Sequence, residues 1–275
     1  MTTSTTPGNL DYWEPGIPDI INEAPAFQWI DEISNLKCNW IKDVKRNSTV
    51  NWFFRDNEEN FNKLKLNPPH NDWNFTKDNV NYTYNSLGYR GDEPSLPSDF
   101  TILVCGASNS FGTGLDDTQI WPYKLKQQFK TTIKNPKLIN LSVVGAPNDF
   151  ITRLVTRSIN TIKPDLVIVS FTWLNWGETI KDDGTIIHSK IVSNQSAGLD
   201  SFPVKYNFIK NHNMIKLACN KTKLICTGVN EWKPLHKKVK EKIGREDLAR
   251  DGTHFGEIVH NEFATSIYNS AIKLL

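Results

Sequence analysis

Hydrophobic and polar positions alternate in a regular way after Pro97. Short apolar runs predict buried strands over residues 100–105, 137–141, 166–171 and 223–227. Stretches with helical spacing predict helices over residues 118–129, 148–162, 204–220 and 256–274, with a basic helix before the last and a long loop over 172–203. Strands that alternate with helices of this length are typical of parallel βαβ units. The sequence therefore predicts an α/β fold, a three-layer sandwich with a mostly parallel central sheet.

The front of the chain lacks this alternation. Residues 1–25 are rich in Thr, Pro, Gly and Asn and predict an extended arm, whereas residues 47–86 have an irregular pattern. Residues 26–45 predict a helix, because their apolar side chains recur at helical spacing. We therefore expect an N-terminal helical and irregular extension or cap over residues 1–84 and a main domain over residues 85–275.

The predicted helix of this extension carries apolar side chains that would be exposed to solvent unless the helix packs on another part of the protein. Left undocked, the predicted helix would expose a large apolar patch, which soluble monomers rarely tolerate. We therefore expect the extension to pack on the main domain. The four tryptophans of this part suit core packing better than a sugar-binding surface; they stand at positions 13, 29, 40 and 52.

Composition and charge exclude several classes of protein. The 275 residues fit one large α/β domain, or a domain of about 180 to 200 residues with an appended segment. The formal net charge is only +2, and the lysine-rich run from Lys233 to Lys242 alternates with Pro, Leu and Val, which is typical of a solvated helix. We therefore expect no nucleic-acid partner.

Cysteine spacing and the N-terminus bear on the compartment. Cys38, Cys105, Cys219 and Cys226 show no zinc-type spacing, and the two that fall in predicted strands, Cys105 and Cys226, are expected to be buried. The first residues lack the basic and apolar regions of a signal peptide, and the chain has no run of about 18 apolar residues. We therefore expect no membrane span and a protein that is cytoplasmic in the producing cell or carried on a virion.

Two segments carry candidate chemistry. The predicted strand that begins at Thr101 ends in the turn Gly106-Ala107-Ser108, so Ser108 lies where open α/β sheets form their crevice. The segment Asp251-Gly-Thr-His254 places an acid and an imidazole three residues apart, in a loop that leads into a helix. A serine hydroxyl becomes a good nucleophile when a base takes its proton, and a carboxylate can fix the tautomer of that base.

The glycines around Ser108 do not match a nucleotide-binding motif. Five residues separate Gly106 from Gly112, and no Lys-Ser/Thr pair follows, so the segment is not a P-loop. The Gly-x-Gly-x-x-Gly spacing of dinucleotide-binding folds is absent there as well.

Four blocks at predicted strand ends resemble the SGNH (GDSL-type) hydrolase superfamily of esterases, lipases and carbohydrate O-acyl esterases. They are Gly106-Ala-Ser108, Asn140-Leu-Ser-Val-Val-Gly145-Ala-Pro, Phe171-Thr-Trp-Leu-Asn175-Trp and Asp251-Gly-Thr-His254, preceded by the similar lead-in Asn85-Ser-Leu-Gly-Tyr-Arg90-Gly. The resemblance covers roughly residues 85–275. The sequence departs from the family pattern at Ala107, Trp173 and Trp176, where the family has Asp, Gly and Asp.

The resemblance implies a role for each matching residue. Ser108 would be the nucleophile, His254 the base and Asp251 the residue that orients it, while the Ser108 N–H, Gly145 and Asn175 would form the oxyanion hole. It also implies a flavodoxin-like SGNH fold, no metal or organic cofactor, and hydrolysis of a small-molecule or glycan ester through an acyl-enzyme. A short acyl group on a carbohydrate is the substrate class that the family suggests.

A second interpretation stays open. The altered motifs and the unassigned front segment also fit a catalytically inactive binding or structural protein that keeps this scaffold. A virion or surface component could hold glycans with its Trp-rich front segment and the loop over residues 172–200. The intact Ser108, Asp251 and His254 favour the enzyme.

Overall fold

A computed structural model of the chain describes residues 46–70, 73–180, 186–191 and 201–275. The predicted helix over residues 26–45 lies outside these residues. In chain order the elements are β1 (Ser48–Val50), α1 (Glu58–Leu66), β2 (Tyr82–Tyr84), β3 (Phe100–Gly106), α2 (Ser108–Phe111), α3 (Trp121–Phe129), β4 (Pro136–Asn140), α4 (Asn148–Ile162), β5 (Leu166–Phe171), β6 (Trp176–Ile180), β7 (Ile186–Lys190), α5 (Phe202–Ala218), β8 (Lys223–Gly228), α6 (Val229–Ile243) and α7 (Glu257–Ile272).

Four parallel strands form the central sheet, in the order β4-β3-β5-β8. Ile102 of β3 lies opposite Leu138 on one side and Leu166 on the other, so β3 and β5 are the interior strands. The apolar residues of both interior strands are buried because helices cover both faces of the sheet. The predicted α/β fold with a parallel central sheet is confirmed.

Two apolar cores lie on opposite faces of this sheet. On one face α4 and α5 pack through Phe150, Ile151, Leu154, Val155 and Ile215. On the other face α3, α6 and α7 pack through Trp121, Leu125, Phe129, Trp232, Val239, Val259, Phe263 and Ile267. The helices that follow β3 and β4 thus lie on opposite faces of the sheet. Where successive connections change face in this way, a crevice opens at the carboxyl ends of the two neighbouring strands between which the change occurs. Here those strands are β3 and β5.

Strand and helix boundaries follow the sequence pattern closely within the main domain. The helix over residues 148–162 and the strand over residues 166–171 coincide with α4 and β5. Helix α3 begins at Trp121 rather than at 118, because Asp116 accepts a hydrogen bond from the Thr118 N–H at 3.1 Å and holds the preceding residues in a turn.

Two predictions about irregular segments are corrected. The loop predicted over 172–203 contains an antiparallel hairpin of β6 and β7, in which Trp176 lies opposite Lys190. The front segment contains α1 and the antiparallel pair β1–β2. Helix α1 buries only Phe61, so it has no apolar stripe to reveal it. Its start is fixed instead by the Asn57 side chain, which accepts a hydrogen bond from the Asn60 N–H at 2.9 Å.

A buried ion pair fastens the described part of the front segment to the main domain. Arg250 and Asp56 are both buried, with Nε–Oδ1 and Nη2–Oδ2 distances of 2.9 and 2.8 Å. The Tyr82 hydroxyl donates to Asp56 at 2.5 Å and accepts from the Gly114 N–H at 2.7 Å. Burial, followed by the Asp56 charge, holds the pKa of Tyr82 well above its usual range, so this hydroxyl keeps its proton. The domain boundary at residue 84 stays a prediction.

His260 on α7 makes stability depend on pH. It is buried, and its Nδ1 accepts from the Trp121 N–H at 3.0 Å. Burial, and then the positive charges of His254, Arg90 and Lys124, lower the pKa of His260 to about 3. An unfolded histidine titrates at about 6.5, so below that pH the unfolded chain binds the extra proton. The contribution of neutral, buried His260 to the stability of the fold is therefore complete above about pH 6.5 and is lost as pH falls towards 3.

Between about pH 6.5 and pH 3, we expect His260 to lower the free energy of unfolding by roughly 1.4 kcal/mol for each unit by which the pH falls. Urea unfolding at pH 7 and pH 5 measures the change. The His260→Gln variant has no group that titrates there, so its unfolding should respond less to pH than that of the wild type. Equal responses of the two proteins would contradict the assignment.

Candidate active site

The serine turn directly follows the interior strand β3. Ser108 is the first residue of the short helix α2, and Ala107 precedes it as the N-cap. Only glycine fits at Gly106, because a Cβ there would lie 2.4 Å from Ser110 Oγ. The Ser108 N–H has no acceptor within the helix, as is general for the first residue of a helix. Among the described residues, the Ser108 hydroxyl makes no hydrogen bond.

Arg90 holds the far end of this turn. Its guanidinium is buried and donates to the carbonyl oxygens of Phe111 and Gly112, both at 2.8 Å, and of Leu115 at 2.9 Å. Asp117 balances its charge at 2.6 Å. The lead-in segment around Arg90 thus fixes the backbone behind Ser108.

Asp251 and His254 are in direct contact. The distance between Asp251 Oδ2 and His254 Nδ1 is 2.5 Å, and Asp251 Oδ1 accepts from the His254 N–H at 3.0 Å. The Thr253 hydroxyl also donates to Asp251, at 2.7 Å. Burial alone raises the pKa of Asp251, but the hydrogen bonds and charge of His254 and the bond from Thr253 outweigh it and hold this pKa below its usual range. The carboxylate is therefore ionised at neutral pH.

Backbone contacts dock this acid–histidine loop on the serine loop. The Arg250 N–H donates to the Gly114 carbonyl of the serine loop at 2.9 Å, while the Ala249 N–H donates to the His254 carbonyl at 2.9 Å and closes the acid–histidine loop itself. A Cβ on Gly114 would lie 3.0 Å from the backbone nitrogen of Asp251. The two loops are thus in van der Waals contact, although no hydrogen bond joins Ser108 to His254 in the part of the chain that the structure describes.

A cavity of about 230 Å³ lies at the carboxyl ends of β3 and β5. Its lining residues are Ala107, Ser108, Asn109, Ser110, Gly145, Ser170, Phe171, Thr172, Trp173, Trp176 and Trp232. The structure therefore brings Ser108 and Gly145 to one cavity. His254 is not among the lining residues, but the next residue, Phe255, stacks on Trp232 with ring centroids 5.4 Å apart. This aromatic pair connects the cavity with the histidine loop.

Gly145 is exposed to the cavity in a left-handed conformation, with a φ of +76°. A Cβ at this position would meet nothing within 4 Å, so the backbone conformation and not the space favours glycine. The Trp176 indole donates to the Gly145 carbonyl at 2.9 Å. In the described residues the Gly145 N–H has no acceptor, so it is available to a ligand.

Asn175 lies beside the hairpin rather than in the cavity wall. Its carbonyl accepts a hydrogen bond from the Ile191 N–H at 2.9 Å, and its side chain is not among the lining residues. The structure thus does not bring Asn175 to Ser108, and its proposed role stays a prediction.

Several lining residues of the cavity had been given no role from the sequence, among them Asn109, Thr172 and Trp232. Asn109 follows the serine, and its buried side-chain oxygen has no partner among the described residues. Thr172 directly follows the last residue of β5, and Trp232 comes from the basic helix α6. The position of Asn109 directly after Ser108 was an available clue, whereas nothing in the sequence pattern linked Trp232 to this site.

The described residues contain no group of three or more His, Cys, Asp or Glu side chains that could hold a metal ion. None of the helices among them has the length and apolar character needed to cross a membrane.

Comparisons with known proteins found similarity at the level of structure. No family model matches the sequence, and no curated protein does. Among solved structures, TesA is 15% identical and matches over 64% of this chain and 99% of its own, with a TM-score of 0.42. The esterase EstA from Pseudoalteromonas sp. is 15% identical and matches over 64% of this chain and 98% of its own, with a TM-score of 0.40. A lipase/acylhydrolase from Enterococcus faecalis is 15% identical and matches over 62% of this chain and 94% of its own, with a TM-score of 0.41.

A protein of the G-D-S-L family from Desulfitobacterium hafniense is 10% identical and matches over 62% of this chain and 99% of its own, with a TM-score of 0.39. At these identities the likeness concerns the fold alone. The roles of individual residues therefore rest on the contacts described above.

Proposed function

We propose that the protein is a serine ester hydrolase that acts through an acyl-enzyme, with Ser108, His254 and Asp251 as its triad. One observation carries this proposal: the buried, ionised Asp251 contacts His254 at 2.5 Å, in a loop docked by backbone contacts on the loop that holds Ser108. A carboxylate in this position fixes the imidazole with Nδ1 towards the acid and leaves Nε2 for the serine proton.

The reaction proceeds in two halves. Ser108 Oγ attacks the ester carbonyl while His254 takes its proton, and the tetrahedral intermediate collapses as His254 passes that proton to the departing alcohol. Water then attacks the acyl-enzyme, giving one proton to His254 and releasing the acid as Ser108 recovers its proton. In structures without substrate, catalytic hydrogen bonds are often long and tighten only in the complex. The missing Ser108–His254 hydrogen bond is therefore compatible with this cycle.

The N–H groups of Ser108 and Gly145 are the proposed main donors to the oxyanion. Both residues line the cavity, and both N–H groups lack an acceptor among the described residues. Donors that are fixed before the reaction stabilise the developing negative charge without reorganisation. Asn175 is the third proposed donor, although it is not among the lining residues of the cavity.

The substrate that we propose is a short acyl group on a carbohydrate. A cavity of about 230 Å³ has room for a small acyl group beside Ser108. The lining residue Trp173 has 47% of its surface exposed, and the Lys233 ammonium lies 4.6 Å from its ring centroid, so the face that Lys233 leaves open is the one offered to a sugar ring. Hydrolysis of p-nitrophenyl esters of graded chain length tests the acyl part of this proposal. We expect the acetate and butyrate to react faster than the octanoate; hydrolysis of none of them would contradict the esterase.

A second candidate is a binding protein without activity, such as a virion component. The observation that favours it is the lack of a hydrogen bond between Ser108 and His254 among the described residues, together with Ala107 in place of the usual acid. This candidate predicts that Ser108 does not react with serine-directed reagents.

Trp176→Phe is expected to lower kcat for p-nitrophenyl acetate by about 10-fold with little change in KM. The indole N–H holds the Gly145 carbonyl and thereby the orientation of the peptide turn that presents the Gly145 N–H. Removing an oxyanion donor outright costs about 10² to 10³ in rate, so loosening one costs less. The matched control is Trp173→Phe at the exposed cavity mouth, where kcat should stay close to that of the wild type. Equal kcat values for the two variants would contradict this role of Trp176.

A further inference from the structure

The described residues of the front segment, 46–70 and 73–84, hold the acid–histidine loop through Arg250, which directly precedes Asp251. The Arg250 side chain is buried. Within the part of the chain that the structure describes, every acceptor of its guanidinium belongs to the front segment; these are both carboxylate oxygens of Asp56 and the carbonyl oxygens of Asn51, Thr76 and Lys77. Groups outside the predicted main domain thus fix the residue beside the proposed catalytic acid.

Helix α1 touches the acid–histidine loop at two further points. The Asn60 side-chain amide donates to the Asp251 carbonyl oxygen at 3.3 Å. One turn further along the helix, Leu64 packs on Gly252, which has a φ of +69° and where a Cβ would lie 2.9 Å from the Leu64 Cδ1. The front segment therefore covers the backbone at the start of the turn that runs from Asp251 to His254, and it limits the movement of that turn.

Asp56 links the same loop with the serine loop. The Tyr82 hydroxyl donates to Asp56 and accepts from the Gly114 N–H at 2.7 Å. The Gly114 carbonyl in turn accepts from the Arg250 N–H at 2.9 Å. Both backbone polar groups of Gly114 therefore lead to Asp56, one through Tyr82 and the other through Arg250. These three side chains are buried, and a buried network whose polar groups are paired is rigid, so Asp56 holds the two loops in one arrangement.

We propose that the front segment positions the triad, with Asp56, Asn60 and Leu64 as positioning residues that hold the acid–histidine loop against the serine loop. The inference rests on the proposed function, because the loop needs a fixed geometry only if His254 takes the proton of Ser108. A misplacement of about 1 Å can lower the rate of a reaction by about 10²-fold. The main domain thus carries the reacting groups, and the front segment fixes part of their geometry.

Asn60→Ala tests the contact nearest to the proposed acid. A change at Asp56 would be less informative, because it leaves the Arg250 charge buried without its partner and destabilises the fold. We expect Asn60→Ala to lower kcat for p-nitrophenyl acetate by about 10-fold with little change in KM, because none of the described lining residues of the cavity belongs to α1. Leu64→Ala should act in the same direction. Asn62→Ala makes the same change on the exposed face of α1 and is the matched control, with kcat at the wild-type value.

The Nδ1 proton of His254 gives a readout that does not depend on turnover. In the hydrogen bond to Asp251, at 2.5 Å between the heavy atoms, it should give a proton NMR signal far downfield of the amide region. This signal should weaken or move upfield in Asn60→Ala and Leu64→Ala, but not in Asn62→Ala. Should the wild type hydrolyse no ester while the signal responds in this way, the esterase proposal fails and the positioning of the loop stands. Hydrolysis by the wild type, with a kcat and a signal that neither variant changes, would overturn the positioning role and leave the esterase intact.

Discussion

Ser108→Ala is expected to lower ester hydrolysis by at least about 10³-fold while the protein stays folded. The change removes the nucleophilic oxygen, and residual activity can come only from the remaining oxyanion donors and substrate binding. Stability should hardly change, since the Ser108 hydroxyl makes no hydrogen bond among the described residues. The measurements are kcat/KM with p-nitrophenyl acetate and the circular dichroism spectrum of each protein.

Ser110→Ala is the control for this change. Ser110 lies in the same short helix, is 1% exposed, and has a hydroxyl without a partner among the described residues. Its replacement removes one oxygen atom from the same turn, so activity should stay within a few-fold of the wild type. The opposite pattern, with activity kept in Ser108→Ala and lost in folded Ser110→Ala, would end the assignment of the nucleophile.

His254→Ala should cost about as much activity as Ser108→Ala, because the nucleophile and its base act as a unit. Asp251→Asn should leave more activity than His254→Ala, since the acid only orients and stabilises the imidazole. The order of the three variants is therefore as informative as the size of each loss. Steady-state kinetics with p-nitrophenyl acetate measure it.

Two readouts separate chemistry from structure in these variants. The Asn amide oxygen can still accept the two backbone bonds that Asp251 Oδ1 receives, from the Thr253 N–H at 3.1 Å and the His254 N–H at 3.0 Å, so Asp251→Asn should stay folded in circular dichroism. Free imidazole added to His254→Ala should restore part of the lost activity, which a merely structural role of the ring would not allow. A folded His254→Ala variant with wild-type rates would exclude this residue as the base.

Many strands and helices of the main domain were predictable because their burial leaves a local pattern of apolar residues in the sequence. Buried parallel strands read as continuous apolar runs, and α4 carries a strong apolar stripe, so β5 and α4 coincide with their predicted ranges. Helix α1 and the β6–β7 hairpin were missed, because neither depends on a continuous core-facing stripe. Capping by Asn57 and backbone pairing stabilise them instead.

The candidate site was predictable only in part. Spacing placed Asp251 and His254 three residues apart, and the structure joins them at 2.5 Å. The cavity wall could not be predicted, since Trp232 and Trp176 reach it from separate elements through tertiary packing. The Trp176 indole donates to the Gly145 carbonyl at 2.9 Å, and this contact, to which we assign a positioning role, had no signal in the sequence.

Labelling with a fluorophosphonate tests the central claim most directly, since this reagent reacts with an activated serine and needs no knowledge of the substrate. The wild type should gain a single adduct, located by peptide mass spectrometry on Ser108. Both Ser108→Ala and His254→Ala should remain unlabelled under the same conditions, because one lacks the nucleophile and the other lacks its base. An adduct on another serine, or an unlabelled Ser108 in the folded wild type, would contradict the account.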